Sequence, residues 1–228
     1  TYINNLEFIM VDLNFYKDQN YGDFTAKLIP NIDREKILGI RMPILRKLAK
    51  EIYKNEGLGF LENLPHFYHE ENMIHGLLIN EIKDGDLARE KLLAFGNYLE
   101  NWAQTDVIKP KAFKKNPTIA RETARELISR GGEYQVRMAV ILLMNLQGEN
   151  FLPSDLDQIV QIKSDFYYVN MARAWYMAEL LVKNFDPASE ALSKQKLDKW
   201  TQNKAIQKAR ESYRVSDELK DLILKFRV

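Results

Sequence analysis

Cysteine is missing from all 228 residues. Its absence excludes disulfides, thiolate nucleophiles and cysteine-ligated zinc or iron–sulfur sites together. No apolar run reaches the roughly 18 residues that a membrane-spanning helix needs. No basic-then-apolar leader opens the chain either. The expectation is therefore a cytoplasmic protein with no membrane partner. No stretch sustains a period-two alternation rich in β-branched residues, which argues against strands. An excess of one charge is lacking too: 33 basic side chains stand against 32 acidic ones, a formal net charge of +1. That total does not suggest nucleic acid, and only the distribution of the charges can.

What the chain does have is a packed composition, 46% hydrophobic and 11% aromatic, that fits a folded protein rather than a disordered one. Ile3, Leu6, Ile9, Met10 and Leu13 give residues 3–16 a helical rhythm, and Asp18 to Gly22 breaks it. Asp23 to Leu28 reads as a short helical piece ended near Pro30. Asp33 reads as an N-cap for Arg34 to Leu38, and Gly39 as its stop. Pro43 suits the first turn of a helix carrying Leu45, Leu48, Ala49 and Ile52. Helical segments follow over 58–64, 70–82, 86–99, 112–115, 117–129, 133–146, 153–162, 166–182, 187–192, 198–211 and 216–226. The fold expected is all-α, a solenoid of antiparallel helix pairs of roughly 10–17 residues with short connections. It forms a single domain over 1–228, with a divergent N-terminal cap over 1–40 and repeats over 41–228. A stack of that kind leaves a concave face able to hold a rod such as a duplex.

Basic residues gather in two places. Lys194, Lys196, Lys199, Lys204, Lys208 and Arg210 outnumber the acids near the C-terminal end, and Lys109, Lys111, Lys114 and Lys115 cluster earlier. Most lysine runs are solvated helix faces. These become a phosphate-contacting surface only if the fold brings them to one side.

Three features bear on chemistry. Trp102 and Asp106, just before Pro110, stand at i and i+4 and so share a helix face. Taken alone, they read as a core indole and a capping acid. Arg137 lies inside the apolar run Val136 to Val140, where a charge must be paired or face a groove. Trp175 follows Tyr168 by two helical turns on one face, and by itself reads as core packing.

The chain resembles the bacterial DNA alkylation repair proteins of the AlkD family, which are HEAT-like repeat proteins. The likeness runs from about Lys36 to Arg210. It rests on Gly39-Ile40-Arg41-Met42-Pro43, on Glu70-Glu71-Asn72-Met73-Ile74-His75-Gly76, on Trp102-Ala103-Gln104-Thr105-Asp106 with Pro110, on Val136-Arg137-Met138-Ala139, and on Tyr168 to Trp175. No single motif is specific, but their order and spacing together are.

The resemblance implies a monofunctional DNA N-glycosylase for N3- and N7-alkylated purines that leaves the lesion in the stack. It needs no cofactor and no metal, and acts as a monomer on alkylated double-stranded DNA. Trp102, Asp106 and Trp175 fall on the family's catalytic positions, and Arg137 on a DNA-contacting one. Tyr168, Lys109, Lys204, Lys208 and Arg210 are the further candidates for DNA contact.

The interval Gln19 to Leu38 departs from the family pattern. It reads as short turns where active members carry an extra helix, so lesion binding is expected to be weaker. Asn101 and Arg173 are also unusual, with no role assigned by the motifs. His66, His69 and His75 lie close together, but without HExxH they are not expected to hold a metal. Gly57-x-Gly59 and Gly131-Gly132 lack the strand context of a nucleotide loop and read as helix stops. Two other classes of function stay open: a duplex-binding module without hydrolysis, and a protein–protein scaffold.

Overall fold

The structure is a computed structural model and describes residues 12–228. The expected first helix over 3–16 lies mostly outside them. Its last residues, Leu13–Tyr16, form a 3-10 turn capped by the Asp12 carboxylate. All regular structure among the described residues is helical.

The N-terminal interval differs from its sequence reading. Helix α1 runs through Gln19–Leu28, ten residues without a break. Asp18 is its N-cap, accepting from the Tyr21 amide at 2.9 Å. Gly22, read from sequence as a breaker, sits inside this helix because Arg34 lies across it. A Cβ at Gly22 would stand 2.5 Å from Arg34 Nη2. The Arg34 guanidinium binds Asp23 and the carbonyls of Gln19 and Ile37 at 2.6, 3.1 and 2.6 Å. The expected loss of a helix from this interval is therefore corrected. Arg34–Lys36 is only a 3-10 turn, and Asp33 gives it no side-chain cap. Gly39 ends no helix. Its φ of +84° lets the chain cross the start of α1, where a Cβ would meet the Asp18 carbonyl at 2.1 Å, so only glycine fits.

From there the expected helices appear. Helix α2 spans Met42–Glu56 with proline in its first turn and Gly57 at its end, followed by a 3-10 turn at Gly59–Glu62. Then come α3 (His69–Ile79), α4 (Gly85–Phe95), the short α5 (Trp102–Asp106) and α6 (Lys111–Lys115). Helices α7 (Pro117–Arg130), α8 (Glu133–Met144), α9 (Pro153–Gln161), α10 (Tyr167–Lys183), α11 (Phe185–Ser193), α12 (Lys199–Glu211) and α13 (Asp217–Leu224) complete the chain.

The packing is solenoid-like. Helices α3, α5, α8, α10 and α12 touch in succession and form one row, while α2, α4 and α7 pack outside it. Nearly all of α3 and α8 is buried, including Arg137, as expected of helices enclosed on all sides. No helix of the described residues is long and apolar enough to cross a membrane.

Glu70 fastens the N-terminal interval to this body. Its buried carboxylate accepts from the amides of Leu38, Gly39 and Ile40 at 2.9, 2.7 and 3.3 Å. Nearby, His66 Nε2 and His75 Nδ1 share a hydrogen bond of 2.9 Å. The His75 ring stacks on Phe95 with centroids 4.1 Å apart. His69 stands apart from that pair, against Asn101.

Two stability predictions follow from these buried groups. Glu70→Ala leaves three backbone donors unpaired and is expected to cost about 3 kcal/mol, read as a lower urea midpoint with an unchanged slope. For the imidazoles, burial, with His66 and Lys91 adding to it, pushes His75 down to about 3 from 6.5, and burial lowers His66 as well. Between those two values the unfolded chain holds a proton at His75 that the folded chain does not. Its contribution to stability is complete above pH 6.5 and is lost on acidification, by about 1.4 kcal/mol per pH unit. Urea unfolding of His75→Phe across the mildly acidic range should show a shallower acid slope than the parent.

Candidate active site

Helix α5 carries Trp102 and Asp106 and has only five residues, too few to persist without support. Side chains hold it at both ends. Asn101 is its N-cap: Oδ1 accepts from the Gln104 amide at 3.2 Å, and Nδ2 lies 3.4 Å from His69 Nδ1. Beyond the helix, Asn80 Nδ2 donates to the Val107 carbonyl at 2.8 Å, and Oδ1 accepts from the Lys109 amide at 2.5 Å. Asn101 thus has a role that its motif did not reveal, namely to fix the turn from which Trp102 and Asp106 project. An asparagine just before a helical run is a cap signal that sequence carries. Asn80 leaves no such trace, because its partners come from another part of the chain.

Asp106 is gripped by a guanidinium from α8. Arg137 Nε donates to Oδ1 at 3.1 Å and Nη2 to Oδ2 at 2.9 Å, a two-pronged pairing that fixes the carboxylate plane. Thr105 Oγ1 donates to the same Oδ1 at 2.9 Å. Arg137 Nη1 reaches the Tyr168 carbonyl at 2.8 Å. The side chain of Arg137 is 5% exposed and that of Asp106 20%. Among the described residues, Oδ1 takes two donors, Arg137 Nε and Thr105 Oγ1, and Oδ2 takes one, so Oδ2 keeps an acceptor direction open. Arg137, expected at the DNA backbone, faces Asp106 and the start of α10.

Asp106 also lines a cavity of about 370 Å³, together with Arg46, Lys50, Lys109, Lys111 and Glu81. Lys111 is ion-paired with Glu81. Arg46, Lys50 and Lys109 have no acidic partner among the described residues. Sequence reading found Lys109 but missed Arg46 and Lys50. Their spacing of i and i+4 on α2 gives them one face, yet nothing local says that this face looks toward Asp106.

The indoles are half-buried. Trp102 packs on the cluster of Ile29, Ile32 and Ile37, and its Nε1 donates to the Leu28 carbonyl at the end of α1 at 3.1 Å. Trp175 packs on the main core with its N–H toward Glu179. Burial would raise the Glu179 carboxyl, but the hydrogen bond and charge of Arg214, with Lys183 and the Trp175 N–H, hold it below its usual value. No hydrogen bond among the described residues joins Trp175 to Asp106, and neither indole lines the Asp106 cavity.

The remaining candidates fall elsewhere. Tyr168 is half-buried, its ring 5.9 Å from that of Tyr134. Lys204 and Arg210 line a separate cavity along α12, whose wall does not include Lys208. Arg173 is structural: buried, it reaches the Ile159 carbonyl, Asn170 Oδ1 and the Asp198 carboxylate at 3.1, 2.9 and 2.8 Å. It thereby locks α10 to the N-cap of α12. Among the described residues no cluster of His, Asp and Glu is arranged to hold a metal.

A stack of helices with a carboxylate held on a short inserted turn, beside unpaired cations, has the build of a protein that handles a polyanion. The sequence model described as DNA alkylation repair enzyme matches residues 12–209, and the chain belongs to that family. A DNA alkylation-repair role, with DNA as the partner, comes with that membership. Searches of the curated proteins and of the solved structures found no match.

The Arg137 grip generates a prediction. Asp106→Ala leaves a buried guanidinium without its counter-ion and is expected to cost about 3 kcal/mol. Asp106→Asn keeps an acceptor oxygen and should cost about half as much. Thermal unfolding of the two variants beside the parent measures the difference.

Proposed function

We propose that the chain is a monofunctional glycosylase that hydrolyses the N-glycosidic bond of N3- or N7-alkylated purines in double-stranded DNA. The supporting observation is the open acceptor direction on Asp106 Oδ2, on the wall of a cavity rich in unpaired cations. Alkylation leaves the purine cationic. When the bond from C1′ breaks, the base takes the electron pair and departs neutral, so little acid catalysis is required. The deoxyribose is left with oxocarbenium character. A fixed carboxylate stabilises that charge and orients the water whose oxygen bonds to C1′, taking up the water's proton before solvent does.

Arg137 acts in this reading as a positioning residue: it sets the direction of Asp106. Trp102 and Trp175 supply ring faces that attract growing positive charge. Arg46, Lys50 and Lys109 meet phosphates. The lesion stays stacked, which departs from the extrusion used by most base-excising enzymes.

A second reading, a duplex-binding module without hydrolysis, is favoured by the double hold on Asp106 and by the absence of both indoles from the wall of its cavity. One set of assays divides the two. Asp106→Asn is expected to lower 7-methylguanine release from methylated duplex by about a hundredfold or more, while duplex affinity and its salt dependence stay near the parent's. Unchanged release in that variant would remove Asp106 from the mechanism. A steep salt slope in a parent protein that releases no base would establish the binding module.

A further inference from the structure

The second cavity, of about 880 Å³, runs along α12 and is lined by Lys199, Trp200, Lys204 and Arg210, with Lys220 of α13 and Arg227 completing the wall. Glu211 is its one acidic residue. Lys220 reaches Asp217, whereas Lys199, Lys204, Arg210 and Arg227 have no acidic partner among the described residues. A chain whose net charge is +1 has thus concentrated free cations in one concave place. Such a wall raises the local concentration of anions.

The cavity holds more than charge. Trp200 is 42% exposed, with the Lys204 ammonium 5.8 Å from its ring centre. The Tyr167 ring stands edge-on to it at 5.8 Å. Tyr167 in turn meets Tyr168 at 5.2 Å, and Tyr168 meets Tyr134 at 5.9 Å. These residues open helices α8, α10 and α12, so a row of aromatic rings crosses three successive helix starts. It ends at the cationic cavity on one side. On the other it ends at Tyr134, beside Tyr168, whose carbonyl is held by Arg137.

Cations alone suit the outside of a duplex. Exposed ring faces do not, because paired bases hide their own faces in the stack. An aromatic platform between cations fits a nucleotide whose base is unpaired: the phosphate is met by charge and the base by a ring. We propose that this cavity is a second nucleic-acid subsite that takes an unpaired nucleotide of a DNA strand, its phosphate among Lys199, Lys204, Arg210 and Arg227 and its base on the Trp200 indole. The inference rests on the DNA-binding reading above but concerns a part of the surface remote in sequence from Asp106.

The test uses the full chain and three probes: a short blunt duplex, the same duplex with a short single-stranded thymidine tail, and free thymidine monophosphate. The tail is expected to raise affinity about tenfold and to quench tryptophan fluorescence. Trp200→Ala and Trp200→Leu should both abolish that gain and the quenching, while blunt-duplex affinity holds. The leucine variant keeps an apolar filler and removes only the ring. Lys199→Gln and Arg227→Gln should each shrink the gain and flatten its salt dependence. Equal affinity for tailed and blunt duplex overturns the proposal, as does a gain that survives both Trp200 variants. Free thymidine monophosphate that competes as strongly as the tail would identify a mononucleotide site instead. If the blunt duplex binds and the tail adds nothing, this subsite alone falls. If no DNA binds, the wider reading falls with it.

Discussion

The pairing of Arg137 with Asp106 is the contact through which three helices are set. Its guanidinium comes from the buried face of α8, its carboxylate from the short α5, and its remaining prong ends on the first turn of α10. A planar fork meeting a planar carboxylate leaves little rotational freedom. The position of Asp106 is therefore a property of the helix stack and not of its own five-residue helix. Breaking such a pair from one side strands the other charge. Stability and geometry at this point are inseparable, which explains why an isolated reading of Trp102 and Asp106 is ambiguous.

The same logic recurs at lower cost around α5. Asn101 starts it, Asn80 stops it, and the Trp102 N–H ties it to the end of α1. Each bond satisfies a polar group that the fold has removed from water, where an unpaired donor or acceptor is expensive. The site is held because most polar groups near it have structural partners; Gln104 Nε2, buried in the same short helix, has none among the described residues.

Much of the fold was legible in the sequence because its signals are local. Apolar spacing, Pro43 and Pro117 at helix starts, and Gly57 and Gly131 at helix ends place α2 to α4 and α6 to α13 to within a few residues, while the short α5 has no such signal. Helix α1 was not legible. Gly22 looks like a breaker unless Arg34 is known to lie over it, and Arg34 arrives there only through contacts made by the folded chain. The site divides in the same way. Trp102, Asp106 and Arg137 are marked by type and spacing, and Asn101 by its cap position. Arg46 and Lys50 are marked by nothing local, since only packing turns α2 toward α5. Arg173 had no role assigned from sequence and is a strut, because a buried guanidinium has the same sequence signature whether its partner is a substrate or Asp198.

The bond from Trp102 to the Leu28 carbonyl makes the end of α1 and the indole a single thermodynamic unit. Any molecule that prefers the ring in its present pose also tightens the docking of α1, and by the same free energy anything that loosens α1 weakens that molecule's hold. The N-terminal helix is thus linked reciprocally to occupancy at the ring, and its hydrogen-exchange protection becomes a gauge of what rests on the indole.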